Sequence, residues 1–301
     1  MLLQHLRYLV TLAEERHFAR AARACHVSQP TLSEGIKHLE EFLGVPIAER
    51  NQRFQGLTPA GERVLRWGRR ILADFASLEQ EIAEVREGLV GKLTLGAIPA
   101  SHAILPLLTT PLVDAYPKVT VSVLSQTSIE IQRALDEFSV DVGVTYLDNE
   151  PLSRVDTYPL YRERYVLVTP ADGPLRGSVQ ATWAQAAALR LCLLSEAMQN
   201  RRILNTIFQR AQVQPAPPVE TLSLLTACAH VSFGGWSTIL PHTFRPLLRG
   251  MANIQVLPLV EPSVEHTVGL AVAQREPLPP LARTLLDLAR RLDVDAVLAR
   301  A

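Results

Sequence analysis

The twenty residues Ala21–Glu40, AARACHVSQPTLSEGIKHLE, constrain the fold more than any other stretch of the chain. They read as a short alanine-rich helix, a tight turn and a second helix. Ser28 stands at an N-cap position, where its hydroxyl accepts from an orphan amide of the first turn. Pro30 is tolerated in that turn because the N–H it lacks has no intrahelical partner. Leu32, Ile36, Leu39 and Leu43 then recur at helical spacing and form a buried stripe. Gln29, Pro30, Ser33 and Lys37 fall on the other side. Two helices joined this way present the second to a major groove of DNA, where its free face meets base edges and phosphates. The plainer alternative is two helices packed in a soluble core.

The flanks favour the DNA reader. Leu6, Leu9, Val10 and Ala13 predict a first helix within Met1–Glu15, and Phe18, Ala21 and Ala22 pack the next one against it. Gly44 stops the reading helix. The segment Pro46–Leu57 is short, polar and basic, and two strands with a turn fit it as a wing. Arg53 is placed there to reach phosphate or a narrow minor groove. A solvated loop is the competing reading for Arg50 and Gln52. Thr58-Pro59 opens a further helix. In it Val64, Gly68, Ile71, Phe75, Leu78, Ile82, Val85 and Leu89 alternate spacings of four and three. A heptad seam on one long helix needs a partner, most simply the same helix of a second subunit. Gly68 permits close approach in that seam.

Charge fits a specific rather than an indiscriminate binder. The whole chain is neutral, with 30 Lys and Arg against 30 Asp and Glu. Residues Met1–Arg70 carry eleven basic and seven acidic side chains, so the head is mildly basic. No run of eighteen apolar residues occurs, and the N-terminus begins with an amphipathic helix. The expectation is a cytoplasmic protein with no membrane span and no signal peptide. Cys25, Cys192 and Cys228 have no CxxC spacing, which argues against zinc and against a disulfide framework. Nucleophile-elbow, phosphate-loop and HExxH patterns are missing. The reading is therefore a non-enzyme with no metal and no cofactor.

After Gly91 strand and helix alternate, which predicts a parallel α/β sheet. Strands are expected at Leu93–Ile98, Pro117–Leu124, Val140–Tyr146 and Tyr165–Thr169, with helices at Ala103–Tyr116 and Ile129–Phe138 between the first three. Further helices are expected at Thr182–Ala188, Arg201–Ala211, Leu222–Val231 and Pro280–Leu292, and another strand near Glu220.

Taken together, HLRYLVTLAEERHFARAA, VSQPTLSEGIKHLE, LGVPIAER and LTPAG resemble the LysR-type transcriptional regulators. The likeness runs the full length and is strongest over Leu3–Gly61. It implies an α/β protein with an all-α winged helix-turn-helix at 1–58, a long linker helix at 59–89, and a two-lobed effector domain at 90–301, similar to periplasmic binding proteins. The first lobe takes 90–164 and 265–301, and the second takes 165–264. Crossovers fall near Leu160–Arg164 and Pro262–Thr267. By resemblance Gln29, Pro30, Ser33 and Arg53 contact DNA. Ser28, Thr31, Glu34, Lys37 and Arg50 complete the candidate DNA-facing set. Glu34 departs from the family, which often has Arg or another donor there; an acid can instead accept from a cytosine amino group. Gly35 lies in mid-helix, at a cost of about 1 kcal/mol relative to Ala.

The family's implied ligand is a small, anionic effector held in the cleft between the lobes, where helix N-termini favour anions. Candidates from the first lobe are Pro99, Ala100, Ser101 and His102, with Thr127 and Ser128. Ala100 lacks the hydroxyl that the family often carries, and the spacing of Thr127 and Glu130 suits a capping box. The stretch Met198, Gln199, Asn200, Arg201 and Arg202 faces the ligand in relatives; Arg201 or Arg202 can fork onto a carboxylate. Gly234 and Gly235 allow close backbone approach, and Trp236 can wall the cleft. The competing reading for each Ser, Thr or Arg is a cap or surface charge, and for Trp236 ordinary core. The implied partners are a double-stranded operator, a dimer or tetramer of the chain, and RNA polymerase if it activates. The family's peroxide-sensing branch offers an alternative, a thiol-based regulator with a reactive cysteine early in the second lobe. Here Met198-Gln199 occupies that region, and Cys192 lies in an apolar strand. TYLDNEPL, YRERY and MQNRR also resemble a subgroup associated with formate dehydrogenase operons.

Overall fold

The computed structural model describes residues 2–50 and 54–300. It separates into two compact units, Met1–Gly88 and Leu89–Ala301.

In the first unit α1 (Leu2–Glu15), α2 (Phe18–Ala24) and α3 (Gln29–Leu43) pack around Leu9, Leu12, Leu32, Ile36 and Leu39. His26 adopts a left-handed conformation (φ 56°) in the turn between α2 and α3. Gly44, also left-handed, ends α3. Strands β1 (Ala48–Arg50) and β2 (Phe54–Leu57) pair antiparallel as a small wing. Helix α4 (Pro59–Glu87) is capped by Thr58, whose hydroxyl accepts from Gly61 N at 2.9 Å.

Two glycines explain the head's close packing. A Cβ on Gly35 would stand 2.6 Å from Tyr8 Cδ2, so the mid-helix glycine admits a ring of α1. A Cβ on Gly68 would meet Leu6 Cδ2 at 3.2 Å. Gly68 therefore serves α1 of its own chain rather than a seam, and the start of α4 belongs to the head. Val64 packs with the head core, and Leu89 is buried in the core of the second unit. Both leave the proposed seam. Ile71, Phe75, Leu78, Ile82 and Val85 stay exposed, 37–86% each.

The second unit begins with β3 (Gly91–Ala97), a 3₁₀ turn Pro99–Ile104, α5 (Leu105–Ala115), β4 (Val119–Ser125), α6 (Ser128–Asp136), β5 (Val142–Tyr146) and β6 (Val155–Glu163). The chain then builds a second lobe from β7 (Tyr165–Pro170), β8 (Ala181–Thr182), α7 (Trp183–Ala187), β9 (Cys192–Leu194), α8 (Gln199–Arg210), β10 (Val219–Thr221), α9 (Leu224–Gly234), β11 (Thr238–Pro241), α10 (Arg245–Leu248) and β12 (Ile254–Val260). It returns through β13 (His266–Ala273) and ends in α11 (Pro280–Ala289) and α12 (Val294–Arg300).

The first-lobe sheet runs β4-β3-β5-β13-β6. Only β4, β3 and β5 form the expected parallel ladder; β13 is antiparallel to both neighbours. The cause is connectivity, since β13 re-enters from the second lobe and must run against strands that point toward it. The second lobe holds the sheet β11-β7-β12-β8 and the pair β10-β9. The chain crosses between lobes at Arg164, between β6 and β7, and again between β12 and β13.

Candidate functional site

The reading face of α3 is open. Ser28 accepts from Thr31 N at 3.3 Å, and its hydroxyl lies 2.8 Å from Thr31 Oγ1. Gln29, Pro30, Thr31, Glu34 and Lys37 are exposed, and Ser33 is half-buried. Lys37 sits 3.5 Å from Glu41 and Glu34 3.8 Å from His38. Such exposed pairs along a helix are weak, so both side chains are free to swing onto a duplex. Glu40 was missed by the sequence reading. Its Oε1 accepts from Ile47 N at 2.9 Å and Ala48 N at 3.1 Å, which pins the wing to α3. Nothing local to Glu40 signals this, because its partners lie seven and eight residues on. Arg53 and the side chain of Arg50 lie outside the described residues.

In the second unit the end of β5 meets α8 of the other lobe, where Asn200 Nδ2 donates to Tyr146 OH at 2.9 Å. The C-terminal edge of parallel strands is the usual ligand edge of an α/β sheet. The candidates there divide sharply. Pro99 and Ala100 are buried in the 3₁₀ turn. Ser101 is fully buried and donates to Ile98 O at 2.9 Å, so its hydroxyl is already used. His102 Nε2 is buried without a hydrogen-bond partner. Burial lowers the His102 pKa, against a hydrogen bond to the Ala97 backbone that raises it. Thr127 is a cap: it accepts from Glu130 N, while Glu130 Oε2 accepts from Thr127 N at 2.8 Å. Ser128 is buried and donates to Glu150 Oε2 at 3.1 Å.

From the second lobe, Met198 is buried among Leu194, Leu224 and Val231, and it gives α8 no side-chain cap. Gln199 Nε2 donates to Asn149 Oδ1 at 3.1 Å, and Asn200 Nδ2 donates to Tyr146 OH at 2.9 Å. Both bonds cross between lobes.

Arg201 and Arg202 do different work. Arg201 is 4% exposed and points into its own lobe, donating to Leu194 O, Glu220 Oε1 and Asn205 Oδ1, each at 2.8 Å. It is an internal rivet, not a ligand fork. Arg202 reaches the first lobe. Its Nε and Nη2 lie 2.8 and 2.6 Å from Glu150 Oε1, and Nη2 lies 3.4 Å from Ser128 Oγ.

The last pair corrects the expected cleft wall. Gly235 is the left-handed residue that ends α9 (φ 64°). Trp236 is core, packed on Cys192 and Ala227 with the Arg190 guanidinium 3.8 Å over its ring.

Glu163, the last residue of β6, is fully buried beside the first crossover. Tyr146 OH donates to its Oε1, and Tyr161 OH donates to Oε2 at 3.3 Å. Burial pushes its pKa up to about 8, although the hydrogen bonds from Tyr146 and Tyr161 oppose the shift. Through Tyr146 this carboxyl is joined to Asn200 of the second lobe. The sequence reading gave Glu163, Tyr146 and Tyr161 no role in a site; a lone acid at a strand end carries no periodic signal.

Residues 3–62 match the model of the bacterial regulatory helix-turn-helix protein, lysR family, and residues 86–293 match the LysR substrate binding domain. The chain is 30% identical to the DNA-binding transcriptional dual regulator OxyR of Escherichia coli K12, with all of both chains covered. A full-length OxyR variant from Pseudomonas aeruginosa has the same fold, with a TM-score of 0.76 at 29% identity, over 97% of this chain and 98% of that one. Full-length CbnR in complex with its target DNA shares the fold at 23% identity and a TM-score of 0.67, over 97% of this chain and 99% of that one. The resemblance to regulators of formate dehydrogenase operons is not shown by these relatives.

Proposed function

The chain belongs to the LysR family of DNA-binding transcriptional regulators, and on that premise we propose that it reads one operator and is governed by a small anionic effector bound between the lobes. One observation carries the DNA half. Gln29, Thr31 and Lys37, with Pro30 exposed among them, form an open and largely polar face on a helix whose opposite side is locked into the head core. The effector half is supported by Ser128 and Arg202, which bring the first turns of α6 and α8 together across the cleft.

The exposed stripe Ile71, Phe75, Leu78, Ile82 and Val85 supports a second copy of the chain as partner, paired along α4. A dimer of dimers and a contact with RNA polymerase on activation extend this reading, with the cytoplasm as its place. Among the described residues no helix is long and apolar enough to cross a membrane, and no His, Cys, Asp or Glu cluster suits a metal.

Likeness at 30% identity to a hydrogen peroxide-inducible genes activator of Escherichia coli favours the thiol mechanism, but the residues here support it less. Met198 and Gln199 occupy the start of α8. Cys192 and Cys228 are buried, and burial pushes both thiols up, away from the reactive thiolate.

The test is binding to a duplex selected from random sequence by the purified protein. Ser33→Ala combined with Arg53→Ala should abolish selective binding and leave the unfolding transition in place. Undiminished selectivity would remove α3 and the wing as the reader.

A further inference from the structure

The cleft already contains a carboxylate, and it is the chain's own. Glu150 projects from the loop after β5 and accepts from Arg202 Nε and Nη2 and from Ser128 Oγ. Ser128 is the first residue of α6, and Arg202 lies in the first turn of α8. The group thus meets a hydroxyl at the N-terminal end of α6 and a guanidinium from the first turn of α8, surroundings that favour an anion. The loop is fastened away from this contact: Gln132 exchanges hydrogen bonds with Ser153 at 2.9 and 3.0 Å. The guanidinium is likewise held independently of Glu150, because Arg202 Nη1 donates to Glu196 O at 2.9 Å and Ala197 O at 2.8 Å. Removing Glu150 therefore leaves the fork of Arg202 aimed at the same point.

We propose that Glu150 is a built-in occupant of the effector's anion site, latching the two lobes until a small carboxylate displaces it from Arg202 and Ser128. This rests on the effector-binding reading above and adds the ligand's reactive end and its internal competitor. The latch is weak enough to yield. Both partners of the ion pair are about a third exposed, 31% for Glu150 and 33% for Arg202. It nevertheless competes as an intramolecular group, at an effective concentration on the order of millimolar. A monocarboxylate whose only recognition element is its charge is thereby kept out until it exceeds that concentration. A ligand with further contacts, such as to the second-lobe acceptors Gln199 Oε1 and Asn200 Oδ1, which are buried without partners, gains entry at lower concentration.

The experiment titrates sodium acetate against sodium chloride at constant ionic strength, reading the dissociation constant from broadening of the acetate methyl resonance. Full-length wild type, Glu150→Ala, Glu150→Gln and Glu150→Ala with Arg202→Ala are compared. A latch closed about nine-tenths of the time weakens apparent affinity about tenfold, so acetate should bind both single variants about tenfold more tightly than wild type, and the double variant should lose the gain. No gain in either single variant, or a gain that survives Arg202→Ala, overturns the proposal. Selective DNA binding is scored on the same wild-type preparation. Its absence counts against the regulator reading without altering the acetate comparison.

Discussion

Replacing Glu163 with Gln isolates the buried carboxyl at the first crossover. The folded chain holds its pKa near 8 rather than 4.5, mainly because burial disfavours the charge. Between those two values the folded state binds the proton more tightly than the unfolded chain, so stability must fall as pH rises. The contribution is complete below about pH 4.5 and is lost as pH climbs to about 8. Each unit of that interval is worth about 1.4 kcal/mol, which sums to about 4–5 kcal/mol over the full range. Gln is uncharged at every pH and keeps one acceptor and one donor for Tyr146 and Tyr161. Urea unfolding of wild type and Glu163→Gln, followed by tryptophan fluorescence from pH 5 to pH 9, reads the difference. The two proteins should be similar near pH 5. The variant should be the more stable by several kcal/mol at pH 8, with most of the separation gained between pH 5 and 8. Parallel stability curves would refute the argument, because they would mean that Glu163 titrates as it does in water.

Two further substitutions test the head and the long helix. Phe75→Asp with Ile82→Asp should break the partner contact of α4, and light scattering should report the mass of a single chain; an unchanged mass would remove the seam. Gly35→Ala ought to improve a helix by about 1 kcal/mol on propensity alone. Here the added methyl meets Tyr8 at 2.6 Å, so chemical unfolding should show a loss of about 1–3 kcal/mol.

What could be read from the sequence was what is local or periodic. Ser28, Thr58 and Thr127 cap the helices they precede, because capping needs only partners within three residues. The leucine spacing of α3 was equally plain. The exposed stripe of α4 was legible only in part: the same periodicity that continues through Val85 begins at Val64 and Gly68, which serve the head. The site was harder. Arg201 and Arg202 are adjacent in sequence but project about 100° apart on a helix of 3.6 residues per turn. One enters its own lobe and the other crosses the cleft, and composition cannot say which. Ser101, Gly235 and Trp236 looked like ligand contacts for their chemistry, yet each is consumed by a turn, a helix end or a core. Glu150 and Glu163 matter through partners 52 and 17 residues away, a kind of pairing that no short window contains.

The most direct measurement is selection of genomic DNA fragments by the purified protein at physiological salt, followed by sequencing. A partly palindromic site should be enriched, as two copies of one reader require, and that enrichment should be lost in Ser33→Ala with Arg53→Ala. Recovery of fragments in proportion to their abundance, with and without small carboxylates, would contradict that expectation.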